Sequence, residues 1–219
     1  PCVAGPEHVA LYKDLDMRQR NYYGCITALD EQIGRLVDYL KVKNIYENSI
    51  ILFCSDNGPE LETPGSPGNF RGKKRSLMCW PAKLEKGSKL ELPCSTVDYM
   101  PTLLDIAGIS YSEGLVLDGE SLWPKLINHG TKRDKPLVFC SGYQGAVIDM
   151  DYKLYYTKGE LYNIAKDPGE KNDISAAYPE KMERLEKCLK ESVEDYRRSF
   201  ETGKTGDHLD WQDWWNIWK

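Results

Sequence analysis

Two short clusters hold the side chains in this sequence best suited to chemistry, and both fall between residues 55 and 75. The first is Ser55-Asp56-Asn57-Gly58, which directly follows the apolar run Ser49–Cys54. Asp56 and Asn57 offer adjacent hard-oxygen donors of the kind that hold a divalent cation such as Ca²⁺. Gly58 lets the chain turn away from them. The same residue types also build Asx turns, in which each side chain satisfies local backbone donors, and taken alone they fit that use more often. The second cluster is Arg71-Gly72-Lys73-Lys74-Arg75. A lysine there acts as a compact point charge toward a sulfate or phosphate oxygen, placed to stabilise an anion held by the cation. Its plainer use is a solvated basic loop.

The other reactive residues form no recognisable catalytic pattern. His8 and His129 have no acidic or nucleophilic neighbours in a familiar arrangement, and His208 lies in the polar approach to the tail; none reads as a base. Cys79-Trp80-Pro81-Ala82-Lys83 imitates a Cys-x-Pro-x-Arg signature with lysine in the arginine position. It follows the basic loop instead of opening a helix, so it is expected to be a strand end entering a turn. The seven cysteines form no Cys-x-x-Cys pair and no zinc-ligand spacing, and are expected to be mostly free, buried thiols. There is no serine elbow and no glycine-rich phosphate loop.

These clusters need elements to position them. Tyr22, Ile26, Leu29, Ile33, Leu36 and Leu40 recur at steps of four and three, predicting one amphipathic helix over 18–43. The run Ser49–Cys54 then reads as a fully buried strand, and a helix followed by such a strand predicts a parallel sheet covered on both faces. Asp56 and Asn57 fall at the carboxyl end of that strand, where open α/β sheets bind ligands. Residues 59–75 form a Gly/Pro/Asn-rich loop, and Val97–Ala107 a short helix stopped by Gly108.

From about residue 136 the pattern changes. Leu137–Ser141, Ala146–Met150, Lys153–Thr157 and Glu160–Tyr162 are short strand-like runs predicting a small antiparallel sheet. Asp167-Pro168-Gly169-Glu170 marks a turn. A helix begins at Pro179, with Met182, Leu185, Leu189, Val193 and Tyr196 on one face and Glu183–Lys187 and Glu186–Lys190 as supporting pairs. The tail from Trp211 to Trp218 reads as a short helix whose indoles cap an exposed edge. A boundary near 130 divides the chain into 1–130 and 131–219.

With 219 residues, 41% hydrophobic and 29% charged, the chain has the composition of a globular protein with a core. A net charge of -5 gives no sign of a nucleic-acid or membrane-surface binder, and no apolar run reaches the ~18 residues of a transmembrane helix. The chain opens Pro1-Cys2 without an initiator Met, as a processed chain or a fragment would, so any N-terminal address is not readable. No glycosylation sequon occurs.

Taken in order, these segments resemble the sulfatase family of the alkaline-phosphatase-like superfamily. Tyr23 to Leu40 resembles the helix before its metal-binding strand, and Ser55-Asp56-Asn57-Gly58 its Ser-Asp-Asn-Gly motif. Phe70-Arg71-Gly72-Lys73-Lys74-Arg75-Ser76-Leu77 resembles the sulfate-binding lysine loop. Asp98-Tyr99-Met100-Pro101-Thr102 with Ala107-Gly108 resembles the Asp-x-x-Pro-Thr helix, and Glu160–Asn163 with Asp167–Glu170 the C-terminal subdomain.

The resemblance implies an α/β fold: part of the alkaline-phosphatase-like sheet with helices on both faces, over 1–130. A small α+β subdomain with an antiparallel sheet follows over 131–219. It implies a sulfuric ester hydrolase in which Asp56 and Asn57 bind Ca²⁺ and Lys74, with Lys73 as the other register, contacts the substrate sulfate. In sulfatases the nucleophile is a formylglycine made from Cys or Ser in a Cys/Ser-x-Pro/Ala-x-Arg signature. That signature, the first pair of metal-binding aspartates and a His-x-Pro segment are all missing here and are expected upstream, so this chain by itself is expected to be inactive. The implied partner is a sulfate ester, sulfated carbohydrates included; the implied compartments are lysosomal, periplasmic or extracellular. The family usually continues from the lysine loop through a further strand before Trp-Pro. Here Leu77-Met78-Cys79 runs straight into Trp80-Pro81, and the sheet is expected to lose pairing there. Two alternatives follow: a non-catalytic protein that binds sulfated glycan, favoured by that shortened junction, and a phosphodiesterase of the same superfamily, disfavoured by the scarcity of histidine.

Overall fold

Asp16 starts the longest helix among the described residues by accepting a hydrogen bond from the Gln19 amide at 2.9 Å, which satisfies one of the free donors at a helix start. The computed structural model describes residues 2–54, 64–65, 76–111, 116–141 and 144–202. It divides into two units, Pro1–Ser88 and Lys89–Lys219.

In the first unit a short helix α1 (Pro6–Val9) runs through a 3-10 turn at Ala10–Tyr12 into α2 (Met17–Val42), close to the predicted 18–43. The Ala4 amide donates to Asn21 Oδ1 at 3.0 Å, and the Tyr12 and Thr27 hydroxyls lie 2.7 Å apart. A Cβ on Gly24 would stand 2.7 Å from the Ala4 Cβ, so glycine lets the two segments close. The predicted apolar stripe lies on another face of α2, where Ile26, Leu29 and Leu36 stay 49%, 50% and 50% exposed.

Strand β1 (Ile51–Cys54) pairs antiparallel with β2 (Ser76–Cys79), from Ile51 opposite Cys79 to Cys54 opposite Ser76. This corrects one expectation. The strand is not a fully buried member of a parallel sheet: among the described residues its neighbour is antiparallel and Phe53 is 42% exposed. A short apolar run has no feature that distinguishes the two pairings. At the Leu77–Trp80 junction Ser76–Cys79 forms β2, one of the two strands of this sheet among the described residues.

The second unit begins with a 3-10 turn, Thr96–Asp98, leading into α3 (Tyr99–Ala107). That helix stops at Gly108, whose φ of 64° is the left-handed conformation glycine adopts without strain. A short helix α4 (Trp123–Ile127) precedes β3 (Leu137–Ser141), β4 (Gln144–Asp149), β5 (Tyr152–Tyr155) and β6 (Glu160–Asn163). These form a four-stranded antiparallel meander in sequence order, as predicted. Helix α5 (Pro179–Thr202) lays Leu185, Leu189 and Val193 against Val147, Leu154 and Leu161. Of the predicted helix pairs, Lys187 reaches Glu191 at 3.8 Å instead, and Lys190 sits over the Tyr156 ring.

The chain is therefore α/β, with antiparallel sheets and helices. Residue 130 falls inside the second unit, because Arg133 reaches back to Asp98 and to the Pro93 carbonyl. The tail 211–218 lies outside the described residues.

Candidate functional site

The predicted site residues Asp56, Asn57, Lys73 and Lys74 lie outside the described residues. The structure does give the platform from which both segments leave. Cys54, the last residue of β1, stands opposite Ser76, the first residue of β2. Asp56 follows Cys54 in the chain as closely as Lys74 precedes Ser76. Paired Cα atoms in an antiparallel ladder lie about 5 Å apart, so the segments carrying the oxygen donors and the lysines depart from one end of one strand pair. Among the described residues no three His, Cys, Asp or Glu side chains gather as a metal cluster.

The far end of the pair is closed. Cys79 Sγ lies 3.7 Å from the Tyr46 hydroxyl, and this contact raises the Tyr46 pKa. The Ala82 amide donates to the Glu47 carbonyl at 3.2 Å, and the Lys83 and Leu84 amides donate to the Trp80 carbonyl. Cys79-Trp80-Pro81-Ala82-Lys83 is a strand end entering a turn, as its sequence context suggested.

The Asp-x-x-Pro-Thr motif has a structural role that its sequence alone did not reveal. Asp98 is fully buried and its carboxylate is saturated. Oδ1 accepts from the Glu120 amide and Arg133 Nη2, and Oδ2 from the Ser95 amide and Arg133 Nη1. The pair with Arg133 is bidentate at 2.9 Å, with side chains 1% and 0% exposed. Such planar, two-point pairing is what guanidinium geometry favours. Thr102 Oγ1 donates to the Asp98 carbonyl at 2.6 Å and accepts from the Leu122 amide at 2.9 Å. A Cβ on Gly119 would lie 2.2 Å from the Val97 carbonyl oxygen, so only glycine permits that approach.

Around this knot, Glu120 Oε2 accepts from the Asp134 and Lys135 amides. Lys125 forms ion pairs with Glu120 and Asp134 at 2.9 and 2.8 Å. Burial works to lower the Lys125 pKa, but its two carboxylate partners raise it, and Lys125 in turn lowers the pKa of Asp134. The motif binds 93–135 together and leaves no free carboxylate oxygen for a ligand. Arg133 went unrecognised because it lies 35 residues from Asp98.

His8 corrects another expectation. Its Nε2 lies 2.9 Å from Glu31 and its Nδ1 3.2 Å from Glu7, and the Glu31 hydrogen bond leads in raising its pKa. Glu31 is 23 residues away, so sequence adjacency could not show it. The cysteines remain thiols, but none is fully buried: Cys2, Cys54 and Cys94 are exposed and the other four intermediate. Burial pushes the Cys140 thiol up to about 11, away from reactivity at neutral pH.

The Sulfatase family model matches residues 12–109, a span holding α2, both strands, the two site segments and the Asp98 helix. The choline-sulfatase of Rhizobium meliloti (strain 1021) is 34% identical over 75% of this chain and 36% of its own length. The N-acetylglucosamine-6-O-sulfatase of Bacteroides thetaiotaomicron is 29% identical over 81% of this chain and 36% of its own. The crystal structure of Ps i-CgsB superposes on 100% of this chain with a TM-score of 0.81 at 24% identity, using 51% of that chain. The chain thus spans about half, or less, of the length of each. It belongs to the sulfatase family and has the fold of sulfatase structures.

Proposed function

We propose that this chain supplies one side of the active site of a sulfuric ester hydrolase, with Asp56 and Asn57 as Ca²⁺ ligands and Lys74 as the residue that contacts the substrate sulfate. The observation that carries this is the β1–β2 register, which starts both segments from one end of a strand pair inside the family match. The donor set suits the metal: carboxylate and amide oxygens are the hard ligands Ca²⁺ takes. When bound, Ca²⁺ polarises the sulfate oxygens. Lys74, or Lys73 in the adjacent register, supplies positive charge to an oxygen of the same group, where charge develops in the transition state. The division into a catalytic part over 1–130 and an accessory part over 131–219 belongs to this proposal.

The nucleophile, a formylglycine, comes from outside residues 1–219, since no Cys/Ser-x-Pro/Ala-x-Arg signature occurs in them. The substrate is a sulfate ester. A sulfated sugar is the favoured class, because an N-acetylglucosamine-6-O-sulfatase is among the relatives covering most of this chain. Among the described residues no helix is long and apolar enough to cross a membrane.

An aryl-sulfate assay with added Ca²⁺ tests the reading in two arms. This chain gives no turnover above its Lys74→Ala variant. The longest reading frame containing it hydrolyses the ester, and Lys74→Ala there lowers kcat by about 10²-fold or more, the scale of losing one transition-state charge contact. Equal turnover with and without Lys74 in the longer protein contradicts the assignment.

A further inference from the structure

The start of α5 carries side chains that neither the core nor the proposed sulfate contact uses. Ala177, Tyr178, Pro179, Glu180, Lys181 and Arg184 line an open cleft of about 570 Å³, wholly inside the second unit. That volume falls within the roughly 300–1,000 Å³ of small-ligand sites. Its walls are held in place by the protein itself. The Tyr178 ring tilts against Tyr152, with centroids 6.1 Å apart, and still leaves Tyr178 44% exposed. Lys181 Nζ stands 3.9 Å from the centroid of the Tyr152 ring. Arg184 donates through Nη2 to Asp149 Oδ2 and keeps further N–H groups to offer. The two cations differ in compensation. Asp149 balances Arg184, whereas Lys181 is half-buried and has no carboxylate within ion-pair distance among the described residues. The Glu180 carboxylate is likewise without a hydrogen-bond donor among them.

We propose that this cleft binds a sulfated sugar residue, with the ring on the exposed face of Tyr178, the sulfate at Lys181, and hydroxyl groups at Glu180 and Arg184. A sugar ring has an apolar C–H face and a polar rim, which matches an aromatic wall beside charged hydrogen-bonding groups. The uncompensated ammonium is a compact charge for an anionic substituent. Glu180 beside it limits the cleft to a single sulfate, because a second would face like charge. Side chains already held by Tyr152 and Asp149 lower the entropy cost of binding. The choice of ligand rests on the sulfated-sugar reading above.

Titration of this chain with N-acetylglucosamine 6-sulfate, followed by amide NMR, tests the proposal. Amides between 177 and 184 should shift, with a Kd on the order of 1 mM for one sugar residue on an open cleft. Unsulfated N-acetylglucosamine should bind about 5-fold more weakly, the scale of one exposed charge contact. Lys181→Gln keeps most of the stem and removes the charge, so it should make the two sugars equal. Tyr178→Ala should weaken both by about 10-fold. An amide spectrum unchanged outside the cleft checks that each variant is folded. Lys74→Ala should leave the titration as it is. Shifts that avoid 177–184, or unaltered affinities in Tyr178→Ala or Lys181→Gln, overturn the proposal, and so does a titration that Lys74→Ala weakens. A cleft that fails these tests while the longer protein hydrolyses sulfate esters through Lys74 overturns the cleft alone. Binding at 177–184 without such turnover keeps the cleft and removes the sulfatase reading.

Discussion

Helices α2 and α5 carry comparable apolar stripes, yet they end in opposite situations. Along α5, Leu185 and Leu189 are 0% exposed against Val147, Leu154 and Leu161 of the meander. Along α2, Leu29 and Leu36 are each 50% exposed. The difference lies in the partner, not in the helix. The meander and α5 are contiguous in sequence, so local hairpins bring their own cover, whereas the described residues of α2's unit offer a two-stranded pair and a short helix. Periodicity reports that a face wants burial and is silent on whether the covering surface belongs to the same stretch of chain.

That contrast gives a graded set of tests. Arg133→Ala should cost the most, about 3–5 kcal/mol, since it strands the Asp98 carboxylate in a buried site without its charge partner; denaturant unfolding of the second unit measures it. Leu154→Ala should cost about 2–5 kcal/mol by opening a cavity under α5. Leu36→Ala in this chain should change stability by less than about 0.5 kcal/mol, because the side chain is already half in water. A loss from Leu36→Ala as large as that from Leu154→Ala would break the comparison.

The smallest effect concerns pH. His8 has a folded pKa raised above its unfolded value by Glu31 and Glu7, so its contribution is fully present below about pH 6.5 and fades as pH rises through the folded value. Arg20 also joins α2 to α1, donating to the Val9 carbonyl at 3.3 Å. Amide exchange over residues 4–12 should therefore be slower, after correction for intrinsic rates, at pH ~5.5 than at pH ~8. The difference should vanish in His8→Gln.

Much of the fold was legible because its signals are local. The stripe from Tyr22 to Leu40, the Gly108 stop and the four short runs from Leu137 onward each predicted the element found. Long-range pairing was not: the antiparallel partner of β1 lies across residues 55–75, and the Asp98–Arg133 and His8–Glu31 pairs join positions 35 and 23 apart. For the site, sequence named Asp56, Asn57 and Lys74, and the structure adds the common strand end from which their segments leave. Seen alone, Asp56-Asn57-Gly58 is a turn as readily as a metal site; the ordered motifs around it, not those residues, tip the reading.

Calcium binding tests the central claim most directly. The unfolding midpoint of this chain should rise with added Ca²⁺, by an amount that grows with the logarithm of concentration once the site fills, and Asp56→Ala should abolish the rise. No rise in either protein, or the same rise in both, would contradict the placement of the metal at Asp56 and Asn57.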